Sequence, residues 1–506
     1  MNFNKKIKQI AELGSLLNAQ KENNDIVVLC HGVFDLLHIG HIKYFQEAKS
    51  MGDILVVTLT PDRFVNKGPG RPAFNEKHRS EAIAALDVVD YVAINKWPTG
   101  METIKALNPD LYVKGPDYKN LSGDITGNIK LEKEAIESVG GKIAFTSTEV
   151  FSSSNLINNY ILENDNKKSF ISKLKNEYSY RDIYEYIENL TDLNVLLIGE
   201  VIIDEYVFCN SVGKAGKEPV MVSQKIRSEK YAGGVVSVAN HISEFCKNIK
   251  VLSYLGDKNQ ERDFIINNLN ENVEFEYIEK NDSPTILKTR YIDEYSKTKT
   301  QGIYDINDQI ISENEEGKFL GLLDENISNY DLVIVVDYGH GLITPKVVEI
   351  LEKESKFLSV NTQLNSFNSS FHSISKYQTA DYVCVHSGEL RHDYRNRYDS
   401  EESLMKDLFK KMNLKSLSIT LGKNGSILLH NDTFTKCPAF ADKIVDRVGA
   451  GDTFLSITSL CVAKKTPERI TLFLGSILAA NSIASVGTGN ISKKINLLKS
   501  VKALMV

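Results

Sequence analysis

Between about residue 25 and residue 160, short β-branched runs alternate with helix-forming stretches, and no other feature of the sequence constrains the fold as tightly. "DIVVLC" and "DILVVTLT" are short and rich in residues that suit a pleated surface, and "LYVKG" and "KIAFTS" follow the same style. "IGHIKYFQEAKSMG" and "NEKHRSEAIAAL", which lie among them, are helical in composition. Strand–helix–strand alternation implies a parallel sheet with helices on both faces. A second α/β region opens at "NVLLIGEVIIDEY", runs through "DLVIVVDYGHG", "ADYVCVH" and "SLSITLGKNGSILLH", and ends in the helical "ERITLFLGSILAANSIASVG". The two regions carry different glycine signatures, so the chain is not an internal repeat. At 506 residues it exceeds what one ordinary core holds. The predicted organisation is an α/β domain over 1–160, a charged helical connector over 161–192, and a larger α/β domain over 193–506.

Composition narrows the function classes. A formal net charge of -6 gives no footing for nucleic-acid binding. No apolar run reaches membrane-spanning length. "MNFNKKIKQIAELGSLLNAQ" has no apolar signal core or small-residue cleavage site and reads as an amphipathic helix. The expected partners are small molecules, with neither nucleic acid nor membrane. Six scattered cysteines (Cys30, Cys209, Cys246, Cys384, Cys437 and Cys461) form no CxxC pair, which predicts buried thiols in a reducing, cytoplasmic setting.

The first candidate site is "HGVFDLLHIGH", placed where the strand "IVVLC" hands over to a helix. In open α/β sheets ligands collect beyond the carboxyl ends of strands, against helix N-termini whose free N–H groups favour anions. His38 and His41 can place imidazole donors on a polyphosphate there, and Gly40 lets a ligand approach the backbone. Such a site suits in-line attack on the α-phosphorus of a nucleoside triphosphate, since positioned donors stabilise the charge gained in the transition state.

This stretch resembles the G-x-F-D-x-x-H-x-G-H signature of the cytidylyltransferase-like nucleotidyltransferases, which implies that Gly32, Phe34, Asp35 and Gly40 bind the nucleotide. "NKGPGRPAFNEKHRSEAIAALDVVDYV", "LNPDLYVKGPDY" and "FSSSNLI" are similar to that family's later segments, the second most of all to the transferase half of bifunctional ADP-heptose synthesis proteins. The resemblance implies that His38 and His41 hold the triphosphate, that Lys67 and Arg79 contact phosphate, and that Lys114 and Asp117 line a pocket. It also implies that Ser152, Ser153 and Ser154 bind phosphate oxygens at a helix start, where they double as an N-cap.

The second candidate site is "DRVGAGDTFLS". Gly449, Ala450 and Gly451 offer small residues at a predicted helix N-terminus, an anion hole for a phosphoryl group in flight, and Asp452 can take the proton of an attacking hydroxyl. The region from about 193 to 500 resembles the ribokinase-like sugar kinases, most closely the kinase half of the same ADP-heptose proteins. That resemblance implies sugar contacts at Asp204, Gly233, Gly234, Asn240 and Arg290, and nucleotide contacts at Glu389, Thr420, Gly422 and Asn481. Asp337 falls at the matching strand end and Asp446 leads into the glycine segment. Two departures stand out: "SVNTQLN" (Asn361, Thr362, Gln363) where the family has D-P-K/R, and "HSGE", in which His386 replaces an asparagine while Glu389 is kept.

The two resemblances together imply a chain with two activities and the domain order of the ADP-heptose proteins reversed. A Rossmann-like nucleotidyltransferase domain precedes a ribokinase-like kinase domain. The implied chemistry is ATP-dependent phosphorylation of a sugar with Mg²⁺, plus nucleotidyl transfer from ATP or CTP to a sugar phosphate with release of pyrophosphate. The departures leave a second reading open, in which only the transferase is catalytic and the C-terminal half binds sugar or dimerises; a non-catalytic metabolite sensor is a third. A homodimer is implied by resemblance alone.

Overall fold

The computed structural model describes residues 3–65, 71–116, 128–147, 165–259, 261–441, 444–484, 491 and 493–505. The chain divides into two compact units, residues 1–165 with 498–506, and residues 166–497. The helices Asp165–Glu177 and Tyr180–Glu188, from the charged stretch that reads as a connector, fall almost wholly within the second unit.

The first unit is built on a parallel sheet of five strands, β1 (Val27–Gly32), β2 (Ile54–Leu59), β3 (Tyr91–Ile94), β4 (Leu111–Lys114) and β5 (Lys142–Phe145), in the order β3-β2-β1-β4-β5. Alternation along β1 sends Val27 and Leu29 into one core with Ile10, Leu13 and Ile104. Val28 and Cys30 go into the other, with Phe45, Ile83 and Val92. Ile10, Leu13 and Leu17 belong to the helix Ile10–Lys21, so the N-terminal amphipathic stretch covers one face of the sheet.

The second unit holds a nine-stranded sheet in the order β10-β9-β6-β13-β14-β15-β16-β17-β18 and a four-stranded sheet in the order β12-β11-β7-β8. The strands are β6 (Asn194–Gly199), β7 (Val201–Lys214), β8 (Met221–Gly234), β9 (Asn248–Gly256), β10 (Val273–Lys280), β11 (Ile286–Asp293) and β12 (Lys299–Asp305). They continue with β13 (Leu332–Asp337), β14 (Leu358–Thr362), β15 (Tyr382–His386), β16 (Ser416–Thr420), β17 (Ser426–His430) and β18 (Thr433–Cys437). The large sheet is parallel except for β16-β17-β18. Only Glu200 separates β6 from β7, so the chain leaves the large sheet and enters the small one almost at once. Glu200 fixes that corner: its buried carboxylate accepts the backbone N–H groups of Tyr338 at 3.1 Å and His340 at 3.0 Å, from the loop that follows β13.

Candidate active sites

In the first unit, β1 ends at Gly32 and the helix Ile39–Lys49 begins seven residues later, so the intervening turn lies at the carboxyl edge of the sheet. A Cβ on Gly32 would stand 3.0 Å from the ring of Phe34, which itself takes a left-handed backbone at φ 48°. Phe34 meets His41 edge-on at 5.4 Å, and the His41 and His38 rings stack at 4.0 Å. His38 is the N-cap: its Nδ1 accepts the N–H of Gly40 at 3.0 Å. An Nδ1 that accepts leaves the proton on Nε2, which makes that atom the donor His38 can offer to a ligand. Partial burial holds its pKa below the ordinary value, so the ring is neutral at physiological pH. Gly40 thus serves the site through its N–H as well as through its lack of a side chain.

Two residues expected to touch nucleotide are engaged elsewhere. The Arg79 guanidinium, buried to 2% exposure, donates to the carbonyls of Phe74 (2.9 Å), Val33 and Thr60 (3.0 Å) and pairs with Asp62. Its donors join the turn after β1 to the loop after β2, where the resemblance implies a phosphate contact. Asp35 accepts the N–H groups of Ala73 at 2.8 Å and Phe74 at 3.1 Å and faces Arg71, so it anchors the segment 71–74 to the turn after β1. Lys114, at the end of β4, is buried and pairs with Glu132 at 3.0 Å. His31, which drew no attention in the sequence, ends the same edge: Nδ1 lies 2.9 Å from the Thr58 hydroxyl, and burial with the nearby Lys114 charge pushes its pKa down to about 3. Lys67, Asp117, Ser152, Ser153 and Ser154 lie outside the described residues.

In the second unit the helix Ala450–Ala463 starts from Gly449, left-handed at φ 81°, with no side-chain cap on its first turn. A Cβ on Gly451 would meet nothing within 4 Å, so there is open space over that helix start. Uncapped N–H groups beside free space are what an incoming phosphoryl group requires. Asp452 sits in the first turn, and burial together with the Asp204 charge pushes its carboxyl up to about 6, while Tyr338 and Lys288 pull the other way.

Facing it is a wall from the four-stranded sheet. Asp204 on β7 pairs with Arg290 on β11. Lys288, beside Asp204 in register, approaches His340 Nε2 at 3.3 Å. Gly233 is held bare by that wall, because its Cβ would fall 2.4 Å from Asp204 Oδ2. Gly234, at φ 60°, opens the helix Val235–Ser243. Asn240, for which the resemblance implies a sugar contact, donates its amide to the Asn268 carbonyl at 2.7 Å and accepts from the Asn270 N–H at 3.0 Å, so it ties down the following loop. The face of that helix turned toward the Ala450 helix carries His241, whose Nε2 lies 3.1 Å from the Thr453 hydroxyl, and Ser237 one turn earlier.

The residues for which the resemblance implies nucleotide contacts follow the carboxyl edge of the large sheet. Glu389 accepts the N–H of His386 at 2.7 Å and of Leu364 at 3.1 Å, and burial with the Asp452 charge pushes it up to about 7. His386 caps its helix through Nδ1, which accepts from Gly388 at 3.0 Å, the task an asparagine amide oxygen performs at an N-cap. That substitution therefore preserves the local backbone. Asn361 donates to the Cys384 carbonyl at 2.7 Å and ties β14 to β15. Thr420 ends β16, Gly422 turns at φ 57°, and Asn481 lies near the end of the helix Glu468–Ser482, whose following residue Ile483 accepts the Val445 N–H. Asp337, at the end of β13, is enclosed by Lys376, Tyr377 and His372 and supports the edge from beneath.

Comparison with known proteins agrees with both halves of this description. Residues 29–172 match the cytidylyltransferase-like family and residues 192–495 the pfkB family carbohydrate kinases. The chain is 41% identical over 140 residues to the bifunctional protein HldE of Geobacter metallireducens, a match covering 27% of each chain. It is 43% identical over 136 residues to that of Campylobacter jejuni, covering 26% of this chain and 29% of the relative. These matches span less than a third of the relatives' own length. A crystal structure of phosphofructokinase-2 from Escherichia coli in complex with potassium aligns with a TM-score of 0.52 and 14% identity, covering 62% of this chain and all of the other, which establishes the shared fold of the second unit. With more than half its length in that match, the chain belongs to the pfkB family of carbohydrate kinases, and a cytidylyltransferase-like region precedes its kinase unit.

Proposed function

We propose that the chain makes a nucleotide-activated sugar by two reactions. In the kinase unit a sugar hydroxyl, held against the Asp204–Arg290 wall, gives its proton to Asp452 and attacks the γ-phosphorus of ATP; ADP leaves. In the transferase unit an oxygen of a sugar phosphate attacks the α-phosphorus of ATP or CTP, and pyrophosphate leaves; His38 Nε2–H and His41 support the charge that develops. The observation that carries the reading is Asp452: a buried carboxylate in the first turn of an uncapped helix, beside open space and facing a polar wall.

Magnesium enters this reading with the nucleotide. Among the described residues no three His, Cys, Asp or Glu side chains cluster into a ready-made metal cage. A magnesium ion on a triphosphate keeps several waters and needs one or two carboxylates, so Glu389 by itself would meet that modest demand. When bound, it supplies charge neutralisation on the polyphosphate. Pairing of two copies belongs to the same reading, supported by Val212, Met221, Val222 and Ile226 exposed on the long β7–β8 hairpin; sedimentation at micromolar concentration tests it. No helix of the described residues is long and apolar enough to cross a membrane. The six cysteines, all buried and free, support placement in a reducing cytoplasm.

The test is a screen of ATP and CTP against sugars, sugar phosphates and polyol phosphates, reading ADP formation and pyrophosphate release separately. Wild type is expected to give both products. Asp452→Asn is expected to lose ADP formation and keep pyrophosphate release. Undiminished ADP formation in that variant would overturn Asp452 as the base, and no ADP formation by wild type with any sugar would leave the second unit as a binding module only.

A further inference from the structure

The four-stranded sheet meets the loop before the phosphoryl-transfer helix at the carboxylate of Asp446. On one side, Oδ2 accepts the Tyr206 hydroxyl of β7 at 3.0 Å and Oδ1 accepts Lys299 Nζ of β12 at 2.7 Å. On the other, Oδ1 accepts the N–H of Val448 at 3.2 Å, one residue before Gly449. Asp446 is only 7% exposed, and Tyr206 is fully buried. Tyr206 is also the register partner of Arg290, whose guanidinium carbon lies 5.8 Å from the Tyr206 ring while its tip pairs with Asp204. Contacts thus run unbroken from the acceptor wall, through Tyr206 and Asp446, to the backbone that presents Gly449, Ala450 and Gly451.

We propose that Asp446 is a positioning residue that couples the four-stranded sheet to the phosphoryl-transfer loop, so that the anion hole is held in shape only while the sheet is seated. This rests on the kinase reading given above. A buried carboxylate needs its cation and its donors, and both Tyr206 and Lys299 come from the sheet. If the sheet lifts, both leave together. Asp446 then turns to other partners, and Val448 loses a carboxylate that fixes it. An anion hole acts through preorganisation, so a loop released in this way no longer stabilises charge in flight.

The experiment uses the full chain and compares wild type with Tyr206→Phe, Lys299→Met, the double variant and Lys299→Arg. Amide hydrogen exchange is read on peptides covering 446–451 without ligand, alongside thermal unfolding. The double variant is expected to exchange the Val448 amide at least about tenfold faster, with β7 still protected and the unfolding midpoint moved by a few degrees at most. Lys299→Arg is expected to restore protection. Wild-type protection of this loop in the double variant overturns the coupling, whether or not any sugar is phosphorylated. Where wild type turns over, kcat of the double variant is expected to fall roughly tenfold with KM for ATP nearly unchanged; a rise in KM for ATP alone overturns the proposal. Accelerated exchange in a chain that consumes ATP with none of the sugars tested supports the coupling and overturns the kinase reading, so the two failures are separable.

Discussion

Asp452 illustrates how one residue carries opposite consequences for activity and stability. A general base must be ionised, and burial pushes this carboxyl up to about 6, with Glu389 nearby pushed to about 7. Phosphorylation is therefore expected to climb with pH through about 6 to 7 and to level off above, as initial rates across pH 5–9 would show. Stability runs the other way. Folded Asp452 keeps its proton to a higher pH than an unfolded carboxyl, so its contribution is present at acid pH and is lost as pH rises through about 6. Asp452→Asn removes a penalty on the order of 2 kcal/mol at neutral pH and none at pH 4. Thermal melts are expected to show the variant gaining at pH 8 only, and an equal gain at both pH values would contradict the perturbed carboxyl. In the other unit, His38→Ala and His41→Ala are each expected to cut pyrophosphate release by roughly 10²–10³. His38→Ala alone also removes a helix cap, worth about 1 kcal/mol, so its melting temperature should fall further than that of His41→Ala.

Among elements, the loops at the sheet edges depend on buried ionic staples. Arg79 reaches from the helix Glu76–Ala84 to three carbonyls and Asp62, so its loss leaves several acceptors buried and unpaired. Arg79→Ala is expected to destabilise the first unit by about 3 kcal/mol in urea unfolding, while ADP formation by the second persists at low denaturant. A residue that merely touched phosphate would instead raise KM and leave stability intact. At the start of the Ala450 helix, Gly449 at φ 81° has a conformation that a side chain resists by about 1–2 kcal/mol. Gly449→Ala is expected to suppress ADP formation severely and spare pyrophosphate release, because the first-turn N–H groups lose their aim. The identity of these turns was legible in the sequence, since a glycine before a small-residue helix start is a local signal. The staples were not, because Arg79 and Asp35 look the same in a sequence whether they face ligand or backbone.

For the whole molecule, two activities on separate units predict separable losses. His38→Ala should leave ADP formation unchanged and Asp452→Asn should leave pyrophosphate release unchanged, whereas chelating divalent cations should stop both, since each reaction moves charge on a polyphosphate. Coupled assays with and without EDTA check all three statements. The alternation of strand and helix, the parallel sheet of the first unit and the helix start at Gly449–Gly451 were legible in the sequence alone. Periodicity and glycine punctuation act over a few residues, and the chain obeys them wherever it folds. Tertiary structure decided which side chains remain available. Asn240 turned to a neighbouring loop, Arg79 and Asp35 to the backbone, while His31, Lys288 and His340 joined the sites unannounced. Tyr206 and Asp446 meet across 240 residues of chain. A polar group's role is set by the partner that satisfies it, and when that partner comes from a distant strand or loop, only the folded arrangement names it.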